Sequence, residues 1–270
     1  MSEVATASYA DAHEAKDRLE VLDALISAPG FDPIFRDDVI RIPRDHPVLT
    51  WGCQVAGCER ALLPPYLVCT THREEWLEGR DRGMTMSEFR ESAVPLRLLR
   101  AQDPSPCLIC GDSRPAAGLQ QLCLRHGDRW YRASRRSEVT VEQFDQWLVT
   151  EKPYESFGDC RVPCCDIQAS YRSGLCTDHH RMFQRDESPG RLPRSRRKLA
   201  PRYDEKILGA WLQGQVPVVR SGRINLIGLH PLLKAEIKYG LYAHSTDRAH
   251  ATWGTHWIQY LVNAHRDCRS

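Results

Sequence analysis

The sequence predicts a small metal-stabilised α+β fold, built from tandem modules rather than around one large core. Two observations carry this. A phrase rich in cysteine and histidine occurs three times along the 270 residues. The composition, 41% hydrophobic and 27% charged, is an ordinary soluble one but lean for a single core of that length. Small modules, each with its own staple, suit it better.

The first copy of the phrase is "CQVAGCERALLPPYLVCTTHREEW" and offers Cys53, Cys58, Cys69 and His72. The second, "CLICGDSRPAAGLQQLCLRHGDRW", offers Cys107, Cys110, Cys123 and His126. The third, "CRVPCCDIQASYRSGLCTDHHRMF", offers Cys160, Cys165, Cys176 and His179 when read in the register of the first. The intervening gaps are 4, 10 and 2 residues in the first and third copies and 2, 12 and 2 in the second. In this register Cys164 falls opposite Gly57 and His180 opposite Arg73, so both are expected to be bystanders.

Three thiolates and one imidazole are what tetrahedral Zn²⁺ takes in closed, structural sites. The short first gap makes a knuckle, and C-x-x-H places its two ligands on one face of a helix's first turn. An aromatic residue (Trp76, Trp130 or Phe183) follows each histidine by four positions. The reading is three tandem treble-clef-like Cys3His zinc fingers with intervening helices, flanked by an N-terminal helix and a small C-terminal helical segment. The cofactor implied is Zn²⁺, at three structural sites. Each site adds three thiolates and one dication, so the formal charge of +2 falls to about −1 when all are loaded.

The repeat extends past the finger. Thr85, Glu88 and Phe89 follow the first copy, and Thr140, Gln143 and Phe144 the second. Each set is a capping-box signature for a second helix. The third copy shows no such signature. A proline-containing basic run, "DESPGRLPRSRRKLAPR", comes instead and reads as a linker. The resulting divisions are 1–50, an N-terminal helix and extended lead-in; 51–100 and 101–152, fingers 1 and 2 each with its helix; 153–185, finger 3; 186–202, the basic linker; and 203–270, a small helical region expected to be incomplete as a bundle.

Charge is polarised along the chain. Residues 1–60 hold 6 Lys/Arg against 11 Asp/Glu, and residues 181–202 hold 8 against 2. On the second finger helix Arg125, Arg129, Arg132 and Arg136 stand at i, i+4, i+7 and i+11, one helical face suited to phosphates. Arg181 and Arg185 repeat the relation on the third finger, and Arg194, Arg196, Arg197 and Lys198 lie in the linker. The first finger helix carries Glu74, Glu75 and Glu78 and is not expected on DNA. No apolar run is long enough for a membrane helix, and the polar N-terminus does not read as a secretory signal. A reducing cytoplasm is the expected compartment, where 11 cysteines point to metal rather than disulfides. His126-x-x-Arg129 matches a phosphoryl-transfer pattern, but His126 is already assigned to metal. No P-loop, dinucleotide fingerprint or nucleophile elbow is present, so no enzyme activity is expected.

"FDPIFRDDVIRIPRDHPVLTWGCQVAGC", the finger phrase that reads "LC..H...W" in the second copy and recurs with Val68 or Phe183 in the other two, and "INLIGLHPLLKAEIKYGL" resemble the N-terminal half of large actinobacterial tyrosine-type site-specific recombinases, the integrases of mobile elements. The resemblance covers about residues 20–262. It implies a DNA-binding role in recombination, with duplex DNA and a recombinase catalytic domain as partners. In that family a downstream domain carries the catalytic arginine, H-x-x-R and tyrosine. None of these is identifiable here, since Tyr242 and Tyr260 have no matching arginine set. The alternative is a zinc-stabilised protein-interaction scaffold, suggested by the acidic front and the acidic first finger helix.

Overall fold

Two ends of the chain that the sequence keeps far apart share one core. The computed structural model describes residues 9–62, 66–97, 105–117, 120–136, 138–186, 204–247 and 252–266. Its helices are α1 (Tyr9–Ser27), α2 (Thr70–Arg80), α3 (Met86–Ser92), α4 (Leu124–Arg135), α5 (Phe144–Thr150), α6 (Thr177–Asp186), α7 (Glu205–Leu212), α8 (Pro231–Thr246) and α9 (Thr255–Ala264). Its strands are β1 (Val39–Arg41), β2 (Leu49–Thr50), β3 (Pro106–Cys107), β4 (Gly111–Pro115), β5 (Arg223–Asn225) and β6 (Trp253–Gly254). Two units result. One comprises Met1–Leu96 with Val219–Cys268 and holds the first finger; the other, Arg97–Val218, holds the second and third. No helix among the described residues is long and apolar enough to cross a membrane.

In the first unit β1 pairs antiparallel with β5, placing Ile40 opposite Ile224, both fully buried. β2 pairs in parallel with β6, Leu49 opposite Trp253. Helix α1 lays Leu19, Leu22 and Ile26 along one stripe and packs on α8. Phe31, Phe35, Leu226 and Val262 complete the same core. Pro231 starts α8 at its first turn, where a missing N–H costs nothing. Lys234 and Lys238, one turn apart on α8, both bind Asp38 at 2.5 and 2.8 Å. Burial pushes the Asp38 carboxyl up, but the two ammonium groups outweigh it and hold it below its usual range. The N-terminal lead-in and the C-terminal helical region, read from sequence as separate stretches, are therefore halves of one structure. Three-residue strands whose partners lie nearly two hundred residues away leave no local signature.

The second unit corrects the reading of the third finger. That finger does have its second helix. It is α7, capped by Asp204, whose carboxylate accepts from the Lys206 N–H at 2.9 Å. Trp211 on α7 meets Phe183 edge-on at 5.2 Å, and Leu208 is fully buried beneath. The basic linker is an insertion between finger and helix, not a replacement for the helix. Arg194, Arg196, Arg197 and Lys198, like Cys268, lie outside the described residues.

Ile224→Ala should lower the stability of the first unit by about 2–5 kcal/mol. Urea denaturation followed by tryptophan fluorescence would read this as a shift to lower midpoint with zinc content unchanged.

Candidate metal centres

The twelve ligands expected from spacing converge in three clusters, and in each the four donor atoms lie within 4.8 Å of one another. Histidine Nδ1 faces the sulfurs every time. It is 3.2 and 3.4 Å from Sγ of Cys53 and Cys69 in the first cluster. In the second it is 3.7, 3.3 and 3.4 Å from Cys107, Cys110 and Cys123. In the third it is 3.3 Å from both Cys160 and Cys176. A tetrahedral Zn²⁺ with bonds of about 2.3 Å to sulfur and about 2.0 Å to nitrogen sets S···N edges near ~3.6 Å. The donor set and its spacing fit zinc, and with four ligands each site is closed and structural. Burial pushes the Cys53 thiol up to about 11 and the Cys110 thiol up to about 12. A dication is what deprotonates such thiols, so loading releases protons and acid opposes it.

The backbone repeats as faithfully as the ligands. Cys69 and Cys123 are the N-cap residues of α2 and α4, and Cys176 directly precedes α6. The positive end of each helix thus faces a thiolate. Two positions before each of these cysteines the chain turns left-handed, at Leu67 (φ 58°), Gln121 (52°) and Gly174 (74°). The carbonyl at that turn accepts from the residue after the first ligand: Gln54, Leu108 and Arg161, at 3.0, 2.9 and 2.8 Å. Leu67 and Gln121 tolerate a conformation that costs a branched or long side chain about 1 kcal/mol. Gly174 has less choice, because a Cβ there would sit 2.4 Å from the Arg161 side chain. Cys164 occupies the left-handed knuckle position (φ 61°) that Gly57 fills in the first finger (φ 71°). His180 stacks on Tyr171 at 3.5 Å. Neither is among the clustered ligands.

Each histidine also has a second partner that sequence reasoning missed. Nε2 of His72 lies 2.9 Å from the Val94 carbonyl. Nε2 of His126 lies 3.1 Å from that of Lys152, and Nε2 of His179 lies 3.1 Å from that of Val216. With Nδ1 turned to the metal, Nε2 carries the proton and donates. This fixes tautomer and ring orientation. All three acceptors precede a proline (Pro95, Pro153 and Pro217), which holds them extended. The second helix supplies an aromatic edge to the same imidazole: Phe89 at 6.0 Å, Trp147 at 6.4 Å and Trp211 at 6.4 Å. Phe144, paired with Phe89 from sequence, instead packs on Trp130 at 4.8 Å, because a 3₁₀ turn (Val141–Gln143) precedes α5. The signal that could have found this shell is the V-P or K-P dipeptide after each second helix.

Among the described residues, the six arginines expected on nucleic acid are each engaged within the chain. Arg125 lies over the Tyr154 ring at 4.1 Å. Arg129 pairs with Glu151 at 2.7 Å, Arg132 with Asp128 at 2.7 Å and Arg136 with Glu138 at 3.8 Å. Arg181 lies 4.0 Å from Asp178, and Arg185 lies 3.2 Å from Asp186. Arg129, Arg132 and Arg136 nevertheless remain more than half exposed. Comparison of the chain with family models, curated proteins and solved structures finds no match. The geometry therefore shows a zinc-finger-type module with three metal sites, and the likeness to recombinases rests on the quoted phrases alone.

Cys165→Ser and His179→Ala should each reduce bound zinc from three per chain to two, whereas Cys164→Ser and His180→Ala should retain three, by elemental analysis after dialysis. Trp211→Ala removes the aromatic edge from His179 and should weaken the third site about 10- to 100-fold. In a competition with a chromophoric chelator, one of three zincs would then leave early while the other two keep wild-type behaviour.

Proposed function

We propose that this chain is a zinc-stabilised, non-catalytic DNA-binding module associated with site-specific recombination. The observation that carries the reading is the face of α4. Zinc site 2 fixes the start of this helix, and Arg129 and Arg132 along it and Arg136 at its C-cap stand exposed. Their carboxylate partners do not rule out phosphate. Exposed ion pairs are worth about 0–1 kcal/mol, and a phosphate backbone gains more by releasing condensed counterions. Arg132 and Arg136, whose partners Asp128 and Glu138 are themselves well exposed, are the readiest to exchange. Arg129 is held more firmly, since Glu151 is nearly buried. The link to recombination rests on the resemblance of the lead-in and post-finger phrases. A cytoplasmic setting and a catalytic partner domain belong to the same proposal.

A second reading is favoured by the same ion pairs. A helix face whose cations are already neutralised, together with the acidic α2, suits a protein-interaction scaffold.

The Arg132→Ala/Arg136→Ala double variant should weaken duplex binding and lower the slope of log K against log salt by about 2, measured by fluorescence anisotropy across a salt series. Wild-type binding that ignores salt, or no duplex binding at all, would favour the scaffold.

A further inference from the structure

The first unit contains a cleft that plays no part in the metal sites. It has a volume of about 380 Å³ and is walled by Trp51, Ser221, His256, Trp257 and Tyr260 among others. That volume lies within the usual range of small-ligand sites, ~300–1,000 Å³. Its walls combine aromatic rings with the Ser221 side chain. Two of the rings rest on glycines. A Cβ at Gly222 would sit 2.6 Å from the Trp51 indole, and one at Gly254 would sit 2.5 Å from the His256 imidazole. The Gly222 N–H donates to the buried Thr255 hydroxyl at 3.2 Å, tying the two walls together. The cleft is therefore built by the backbone and is not a gap between loose side chains.

Two further features point to the ligand. Among the described residues no carboxylate lines the cleft. At the mouth Trp257 and Tyr260 are more than half exposed, which is unusual for such large rings on one short helix.

We propose that this cleft receives an unstacked base of single-stranded DNA, stacked on Trp257 with the tilted Tyr260 ring against its edge, and hydrogen-bonded through the Ser221 hydroxyl. Flat heterocycles match aromatic walls, and stacking on them needs no sequence preference. The inference deepens the nucleic-acid reading above and rests on it. It adds a second mode of contact, made by bases in the first unit rather than by phosphates on α4.

The test uses the zinc-loaded full chain and two labelled twelve-nucleotide probes, oligo(dT) and a sugar–phosphate strand of the same length without bases, alongside a duplex. The expected result is that oligo(dT) quenches tryptophan fluorescence and binds at least tenfold more tightly than the abasic strand. Trp257→Ala and Tyr260→Ala, both at exposed positions, should each weaken oligo(dT) binding about five- to a hundredfold while leaving zinc content and duplex binding unchanged. Equal affinity for the abasic strand, or no effect of either substitution, would overturn the inference while sparing DNA binding through α4. Binding of a proline-rich peptide that oligo(dT) fails to displace would overturn it in favour of a protein ligand. Failure to bind either the duplex or oligo(dT) would remove the nucleic-acid reading and this inference together.

Discussion

Everything in the three fingers depends on one small relay, an imidazole held between a metal on Nδ1 and a main-chain carbonyl on Nε2. The metal alone would fix four side chains and leave the rest of each module to find its own way. The carbonyl ties the second helix, and the chain that follows it, to the same ring. Because the acceptor residue precedes a proline, its extended geometry is set covalently. The edge of Phe89, Trp147 or Trp211 then closes the remaining side of the imidazole. A module with very little apolar volume thus obtains a folded state from one cation, one ring and one carbonyl. Small domains need such a staple, since burial alone does not offset their chain entropy.

The same relay explains how the third copy absorbs an insertion. In the first copy 22 residues separate the histidine from its carbonyl, in the second 26 and in the third 37. Lengthening a loop costs little, about 0.6 kcal/mol per doubling. The contacts at the imidazole do not sense how the chain arrives. Asp204 can therefore replace the threonine cap, and the helix still docks.

This marks where the sequence was legible and where it was not. The metal ligands could be read because their spacing is local and occurs three times, so that one register explained Cys164 and His180 as well. The left-handed turns were half visible, in Gly57 and Gly174, and hidden at Leu67 and Gln121, where the side chain gives no warning. Helix α7 was legible as a helix, but its place in the third finger escaped because the insertion broke the period and the cap changed from threonine to aspartate. The core of the first unit escaped for a different reason. Ile40 and Ile224 are ordinary residues in three-residue strands, and nothing near either one names the other. The aromatic cleft was invisible on the same grounds, since its walls come from three distant stretches.

The pairing of β1 with β5 also sets an order of events during synthesis. When Val39–Arg41 leaves the ribosome, its partner Arg223–Asn225 has not been translated. At ordinary elongation rates the wait is about 10–40 s. In that interval Arg97–Val218 emerges whole, with its ligands for two zincs. The second and third fingers can therefore capture metal and close while the N-terminal strand and its apolar neighbours still stand open. The first unit, although begun first, is therefore the last to finish, and its first strand waits unpaired for the whole interval.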